Sequence, residues 1–271
     1  MTARSERFTT PSLGGVFLHA LHRGDTSRRP LVLLHGGGAN AHWWDHLAPA
    51  LANRFHVVAL DFRGHGDSDH PASVEPGGFA RDLMALLTHL GASEPLLMGH
   101  SMGGHIALEH AAQATGVRAL VAIEVVRGAP SRERRAMRLA LAARRSYRSR
   151  EDAIARYRFL PPAPHASEAL RASIAAHSVG QESDGRFAFK FDPRWFGLPP
   201  SPPPELGRVL CPTLIVRGAE SPLLSAEGAA AFAAEIPAAQ IAVIERAGHN
   251  LHLEQPAAFL AAVLPFLEKH A

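Results

Sequence analysis

The chain has 271 residues, 46% of them hydrophobic, with a formal charge of +3. That length suits one large core, or a core with an inserted lobe, and no run nears the ~20 apolar residues of a spanning helix, so no stable membrane insertion is expected. A single cysteine, Cys211, excludes an internal disulfide framework; with no apolar signal segment in the opening MTARSERFTTPSLGG, the expected compartment is reducing and cytoplasmic.

In chain order, RFTTPSLGGVFLHALHRG reads as a leading hairpin. RPLVLLHGGG is a short buried strand running into a glycine loop, HWWDHLAPALA a helix, and RFHVVALDFRGHGDS a strand and loop. GFARDLMALLTHLG is a helix closed by Gly91. EPLLMGH, MGGHIALEHAAQA and VRALVAIEVV follow as strand, helix and strand. After residue 204 the alternation resumes with CPTLIVRG, a helix, AQIAVIERAGH and QPAAFLAAVLPFLEKH. Short apolar strands alternating with helices predict a mostly parallel sheet covered on both faces.

The alternation breaks between residues 127 and 204. RGAPSRERRAMRLALAARRSYRSRED is helical, with Met137, Ala140, Leu141 and Tyr147 on one face. FLPPAPH and GLPPSPPPEL are proline-rich punctuation. The expectation is a helical cap, 127–204, inserted into a core of residues 1–126 and 205–271. The cap carries a net +8 and the remainder −5. Such asymmetry suits either an anionic partner or a solvated helix face. No nucleic-acid motif accompanies it, so no nucleic-acid partner is expected, and the oligomeric state is open.

GHSMGGH, residues 99–105, falls between a strand and a helix. A serine in that turn has a strained backbone and a hydroxyl lifted above the carboxyl edge of the sheet. The glycines at 99 and 103 avoid crowding the neighbouring strand and helix, and the helix N-terminus favours developing negative charge. Ser101 is therefore a candidate nucleophile. His249, in the loop after a late strand, has the position and the chain order of a general base. An oxyanion site needs backbone N–H groups from two loops: Met102 just after the nucleophile, and Gly37, with Gly38 second, in the HGGG loop. No Gly-Lys-Ser/Thr follows that loop, so a nucleotide cradle is not expected.

HGGG, DFRGHGDS, GHSMGG and GHNLHLEQP, in that order, resemble the α/β-hydrolase superfamily, in its capped, esterase- and lipase-like branch. The resemblance implies an eight-stranded, mostly parallel sheet with helices on both faces, an inserted helical cap, and serine–histidine–acid catalysis without a cofactor or metal. Members with aspartate at the serine position are epoxide hydrolases and haloalkane dehalogenases, and Ser101 argues against both. Asp61, Arg63, Gly64, His65, Gly66 and Ser68 match a structural turn of the family. The acid departs from the pattern: Ser221 holds the family's usual position, and Glu220 stands one residue early. Glu124, ending the strand after the nucleophile helix, is the first candidate, since dehalogenase-like relatives use a glutamate there; Glu220 is the second.

Gly38, Trp43, His100 and Trp195 are expected pocket residues. Phe159, Trp195 and Phe196 form either a small core within the cap or the roof of the pocket. His42 and His46, with Asp45 between, have a spacing that could suit a metal; among 17 histidines such spacings arise by chance. The implied function is hydrolysis of small to medium, largely apolar carboxylic esters through an acyl-enzyme. The alternatives are a C–C bond hydrolase of diketone-type substrates with the same triad, and a low-turnover ligand-binding protein on the same fold.

Overall fold

Hydrophobic residues alternate between two cores along the central strands, and this alternation explains the layered architecture. The computed structural model describes residues 3–114, 116–126, 132–143, 145–197 and 204–271. β1 (Arg4–Phe8) and β2 (Leu18–Arg23) form the leading hairpin. β3 (Pro30–Leu34), β4 (His56–Asp61), β5 (Leu96–His100) and β6 (Ala119–Ile123) follow. β7 (Ser146–Tyr147), β8 (Val179–Gln181) and β9 (Phe187–Phe189) lie in the stretch before β10 (Thr213–Gly218) and β11 (Ala239–Ile244). On β3, Val32 and Leu34 enter one core, Leu31 and Leu33 the other. On β4, Val58 and Leu60 oppose Val57 and Ala59 in the same way.

Eight strands form one sheet in the order β1-β2-β4-β3-β5-β6-β10-β11. β2 pairs antiparallel with β1 and β4, and the remaining pairs are parallel. α2 (Gly78–His89), α3 (Met102–Gln113) and α7 (Ala226–Ala234) cover one face through Leu83, Leu86, Ile106 and Phe232. α1 (Ala48–Ala52) and α9 (Pro256–Lys269) cover the other through Leu51, Phe259, Val263 and Leu267. The helix expected over HWWDHLAPALA divides into a 3-10 turn, Ala41–Trp44, and α1. The Asn40 side chain caps the first piece at the His42 N–H, and Pro49 sits in the first turn of the second.

Between β6 and β10 lie α4 (Arg132–Ala142), α5 (Arg150–Ala155) and α6 (Glu168–His177). Residues 127–131 and 198–203, where the first edge of the expected insertion and most of its closing proline segment fall, lie outside the described residues. The stretch is not purely helical: β7, β9 and β8 form a three-stranded antiparallel sheet. The physical reason is local. Asp184-Gly185 makes a hairpin turn, with Gly185 at φ 81° and the Glu182 N–H donating to the Arg186 carbonyl at 2.7 Å. Phe187 and Phe189 project from one face of β9 toward Tyr147 and Val179. Tyr157, Phe159 and Ile174 pack on Trp43 and Leu253, joining the insertion to the sheet layer.

Candidate active site

The chain progresses from β3 to β4 on one side and then returns to β5 on the other side of β3. Open parallel sheets bind ligands outside the carboxyl ends of the strands at such a reversal. Four segments meet there: the glycine loop after β3, Ser101 after β5, Glu124 after β6 and the loop after β11. His249 lies in the last of these, carried to the sheet centre by α8 (Leu251–Glu254) and the turn before it.

Ser101 occupies the sharp turn itself, at φ 50° and ψ −112°, and its N–H donates to the Ile123 carbonyl at 2.8 Å. A non-glycine residue in that region costs on the order of 1–3 kcal/mol and persists where its surroundings hold it. The flanking glycines are required by close approach. A Cβ on Gly99 would lie 2.5 Å from the Gly103 backbone, and one on Gly103 would lie 2.4 Å from the Leu34 carbonyl oxygen. β5, α3 and β3 therefore pack backbone to backbone around the serine. Met102 is the first residue of α3, so its N–H is one of the helix donors without an intrahelical acceptor. Gly37 lines the same cavity as Ser101 and Met102.

His249 is 2% exposed and Glu124 fully buried. The His249 Nδ1–H donates to Glu124 Oε2 at 3.0 Å. That tautomer leaves Nε2 as the basic nitrogen. Glu124 sits at φ 52°. Its Oε1 accepts from the Gly218 N–H at 2.8 Å, and its Oε2 accepts from the Ser221 hydroxyl at 2.6 Å. Ser221, at the position where the resemblance places the acid, thus donates to Glu124 from the turn after β10. Glu220 points away: its side chain is 57% exposed and lies 3.5 Å from His165 of the insertion.

His35 and His100 brace these loops. His35 Nε2 accepts from the Phe62 N–H, and its Nδ1–H donates to the Gly36 carbonyl. The buried His100 ring donates from Nε2 to the His249 carbonyl at 2.9 Å. Burial, reinforced by the neighbouring His249, holds the His100 ring well below the ordinary imidazole range. His252, behind it, is depressed in the same way by burial.

Ser101 and His249 open onto a cavity of about 480 Å³. Trp43, His100, Trp195 and Phe196 line it, as does Leu160 from the insertion. Phe159 does not; it packs under the insertion with Tyr157 and Trp43. Gly38, expected in the pocket, is not among the residues that line the cavity. At φ 75° it turns the chain away, its N–H donates to His65 Nε2 at 3.3 Å, and a Cβ there would meet Leu141. The cavity face of α3 is Met102, His105, Ile106 and Glu109, a stripe at helical spacing. Counting forward from Ser101 at i+4 and i+8 would have found His105 and Glu109 in the sequence.

Asp61 is a buried hub. It accepts from the Ala41 and Asp67 N–H groups and from His19, fixing the turn after β4 rather than facing the cavity. Among the described residues, His42, Asp45 and His177 place ligand-type atoms within 4.8 Å of one another, as do His19, Asp61 and Asp67. His46 belongs to neither group; its Nε2 meets the His252 carbonyl at 2.9 Å. No helix among the described residues is long and apolar enough to cross a membrane.

Comparison with known proteins follows the same geometry. Over its full length the chain is similar to 2-(acetamidomethylene)succinate hydrolase of Mesorhizobium japonicum, 32% identical with 94% of this chain and 93% of that protein covered. It is 28% identical to the sn-1-specific diacylglycerol lipase of Mus musculus, covering 90% and 82%. The similarity to a Corynebacterium soluble epoxide hydrolase is 38% but spans only 35% of this chain and 33% of that protein. Among solved structures, E-2-(acetamidomethylene)succinate hydrolase superposes with a TM-score of 0.80 at 25% identity, over 98% of this chain and all of that one. The model of the alpha/beta hydrolase family matches residues 31–263, which hold six of the eight sheet strands with the elbow, the insertion and the late histidine, and the chain belongs to that family.

Proposed function

We propose that this alpha/beta hydrolase is a serine hydrolase that cleaves carboxylic esters through an acyl-enzyme, with Ser101, His249 and Glu124 as its triad. The observation that carries this reading is the buried chain Ser221–Glu124–His249, ending at the cavity that also holds the strained Ser101. In the reaction, Ser101 Oγ attacks the ester carbonyl and His249 Nε2 takes its proton. The Gly37 and Met102 N–H groups hold the oxyanion. Collapse expels the alcohol with the proton from His249 and leaves the acyl-serine. Water then attacks with His249 as base, and the acid departs. Glu124 holds the ring in the required tautomer and stabilises the imidazolium. Residues 127–204 act as a cap that roofs the cavity with Leu160, Trp195 and Phe196.

The Mesorhizobium relative is named for a succinate substrate, a dicarboxylate. The charges of this cavity support a different choice. Of the 15 Lys and Arg residues in 127–204, Arg138 lines it, and its guanidinium donates to the Phe196 carbonyl at 2.9 Å. Two carboxylates, Glu75 and Glu109, line it as well. A largely apolar substrate without an anionic group fits that balance best. The test is a fluorophosphonate probe followed by a panel of p-nitrophenyl esters beside a vinylogous diketone. Labelling at Ser101 with ester turnover is expected. Absence of labelling would favour a binding protein, and turnover of the diketone alone would favour C–C hydrolysis.

A further inference from the structure

Glu109 is the one carboxylate of the cavity for which the described residues provide no counter-charge. Glu75, the other, pairs with Arg81 at 3.2 Å. Glu109 is half-buried on the cavity face of α3, at the far end of the stripe Met102–His105–Ile106–Glu109. No hydrogen bond or ion pair reaches its carboxylate among the described residues. Its carboxyl is raised above the ordinary range, and burial is the sole cause. Such a group, left without a donor in a site of mostly apolar walls, is under-satisfied and gains from a ligand that supplies one.

We propose that Glu109 forms a subsite for a cationic or N–H-bearing end group of the substrate, remote from the scissile carbonyl. The proposal rests on the ester-hydrolase reading for where the carbonyl sits. From Ser101 to Glu109 the helix rises roughly 12 Å. An extended chain gains about 1.2 Å per bond, so about ten bonds separate the carbonyl carbon from the recognised nitrogen. Ile106, Val126, Leu141 and Trp195 also line the cavity, and these apolar side chains suit a methylene chain. The predicted class is an ester whose acyl chain is apolar along its length and ends in an ammonium or amide nitrogen. The basic surplus of the insertion then has no part in recognition at this site.

The experiment compares p-nitrophenyl esters of undecanoate ending in ammonium, hydroxyl or, one carbon longer, carboxylate. Binding to Ser101→Ala is measured by calorimetry, and turnover by the wild type is measured in parallel. Binding reads Glu109 alone, whereas turnover reads the hydrolase assignment, so the two can fail separately. Expected is a preference for ammonium over hydroxyl of about fivefold or more, as for a half-buried ion pair. Adding Glu109→Gln should bring that ratio to within about twofold of one, and Glu109→Lys should turn the preference toward the carboxylate. An ammonium preference unchanged in Glu109→Gln would overturn the proposal. So would the absence of any preference in the Ser101→Ala protein.

Discussion

One hydrogen bond joins His249 to Glu124, and most of the expected chemistry depends on that 3.0 Å contact. Glu124→Gln keeps the shape but removes the charge that stabilises the imidazolium, and its amide can present an N–H where an acceptor is required. We expect kcat to fall by ~10⁴ with KM little changed. Glu220→Gln should lose less than tenfold, because its carboxylate lies out toward His165. Steady-state kinetics of the two variants on one ester decide between them. Ser101→Ala and His249→Ala should each lower kcat by ~10⁴ or more, and the double variant should add little, since the two act as a unit. Losses that multiplied would show that the residues act independently.

The elbow is an element-scale device, because β3, β5 and α3 touch through backbone atoms. Gly103→Ala drives a methyl group to 2.4 Å from the Leu34 carbonyl oxygen, so α3 must move bodily. Overpacking of this kind costs about 1–3 kcal/mol, or roughly 2–12 °C in Tm. Gly91→Ala is the control: Gly91 closes α2 at φ 59° with open space around it. Its penalty is conformational alone, about 1 kcal/mol. Scanning calorimetry should rank Gly103→Ala well below Gly91→Ala, with ester turnover lost only in the former. The reverse ranking would mean that the three backbones are not in contact. The insertion allows a second comparison. Because Arg138 is the one basic residue that the described part of the insertion sets on the cavity, kcat/KM for anionic and neutral esters should respond equally to salt between 0.1 and 1 M. A steeper fall for the anionic ester would return the other arginines to substrate recognition.

Across the whole molecule, buried histidines set the response to acid. Burial holds His65 down to about 3, lowers His35 and His46, and leaves His100 and His252 well below their ordinary value. In the unfolded chain each returns to about 6.5. The folded values are depressed, so the unfolded state binds more protons between the two. The stabilisation is therefore complete above about pH 6.5 and is lost as pH falls toward the folded values. Tm should already decline between pH 7 and 5, before unfolded carboxylates near pH 4 begin to titrate. A Tm flat across that interval would show that these rings carry protons in the fold.

Local pattern was enough to specify the elements that bear the site. The two-residue alternation of β3 and β4, the glycines around Ser101 and the order serine-then-histidine are properties of short stretches, and short-range sterics and burial decide them. Glu124 was legible as a strand-end acid because a strand's length fixes where its last side chain stands. What no stretch could decide was how separate loops meet. Ser221 faces Glu124 from 97 residues away, Glu220 turns to a histidine of the insertion, and Gly38 yields its place on the cavity to Gly36 and Gly37. The insertion was expected to be helical, and its hairpin at Asp184-Gly185 gains a third strand, β7, that pairs across 40 residues. Such contacts depend on strand order and on the packing of the insertion over the carboxyl edge. Only the assembled sheet brings β6, β10 and the loop after β11 within hydrogen-bonding distance.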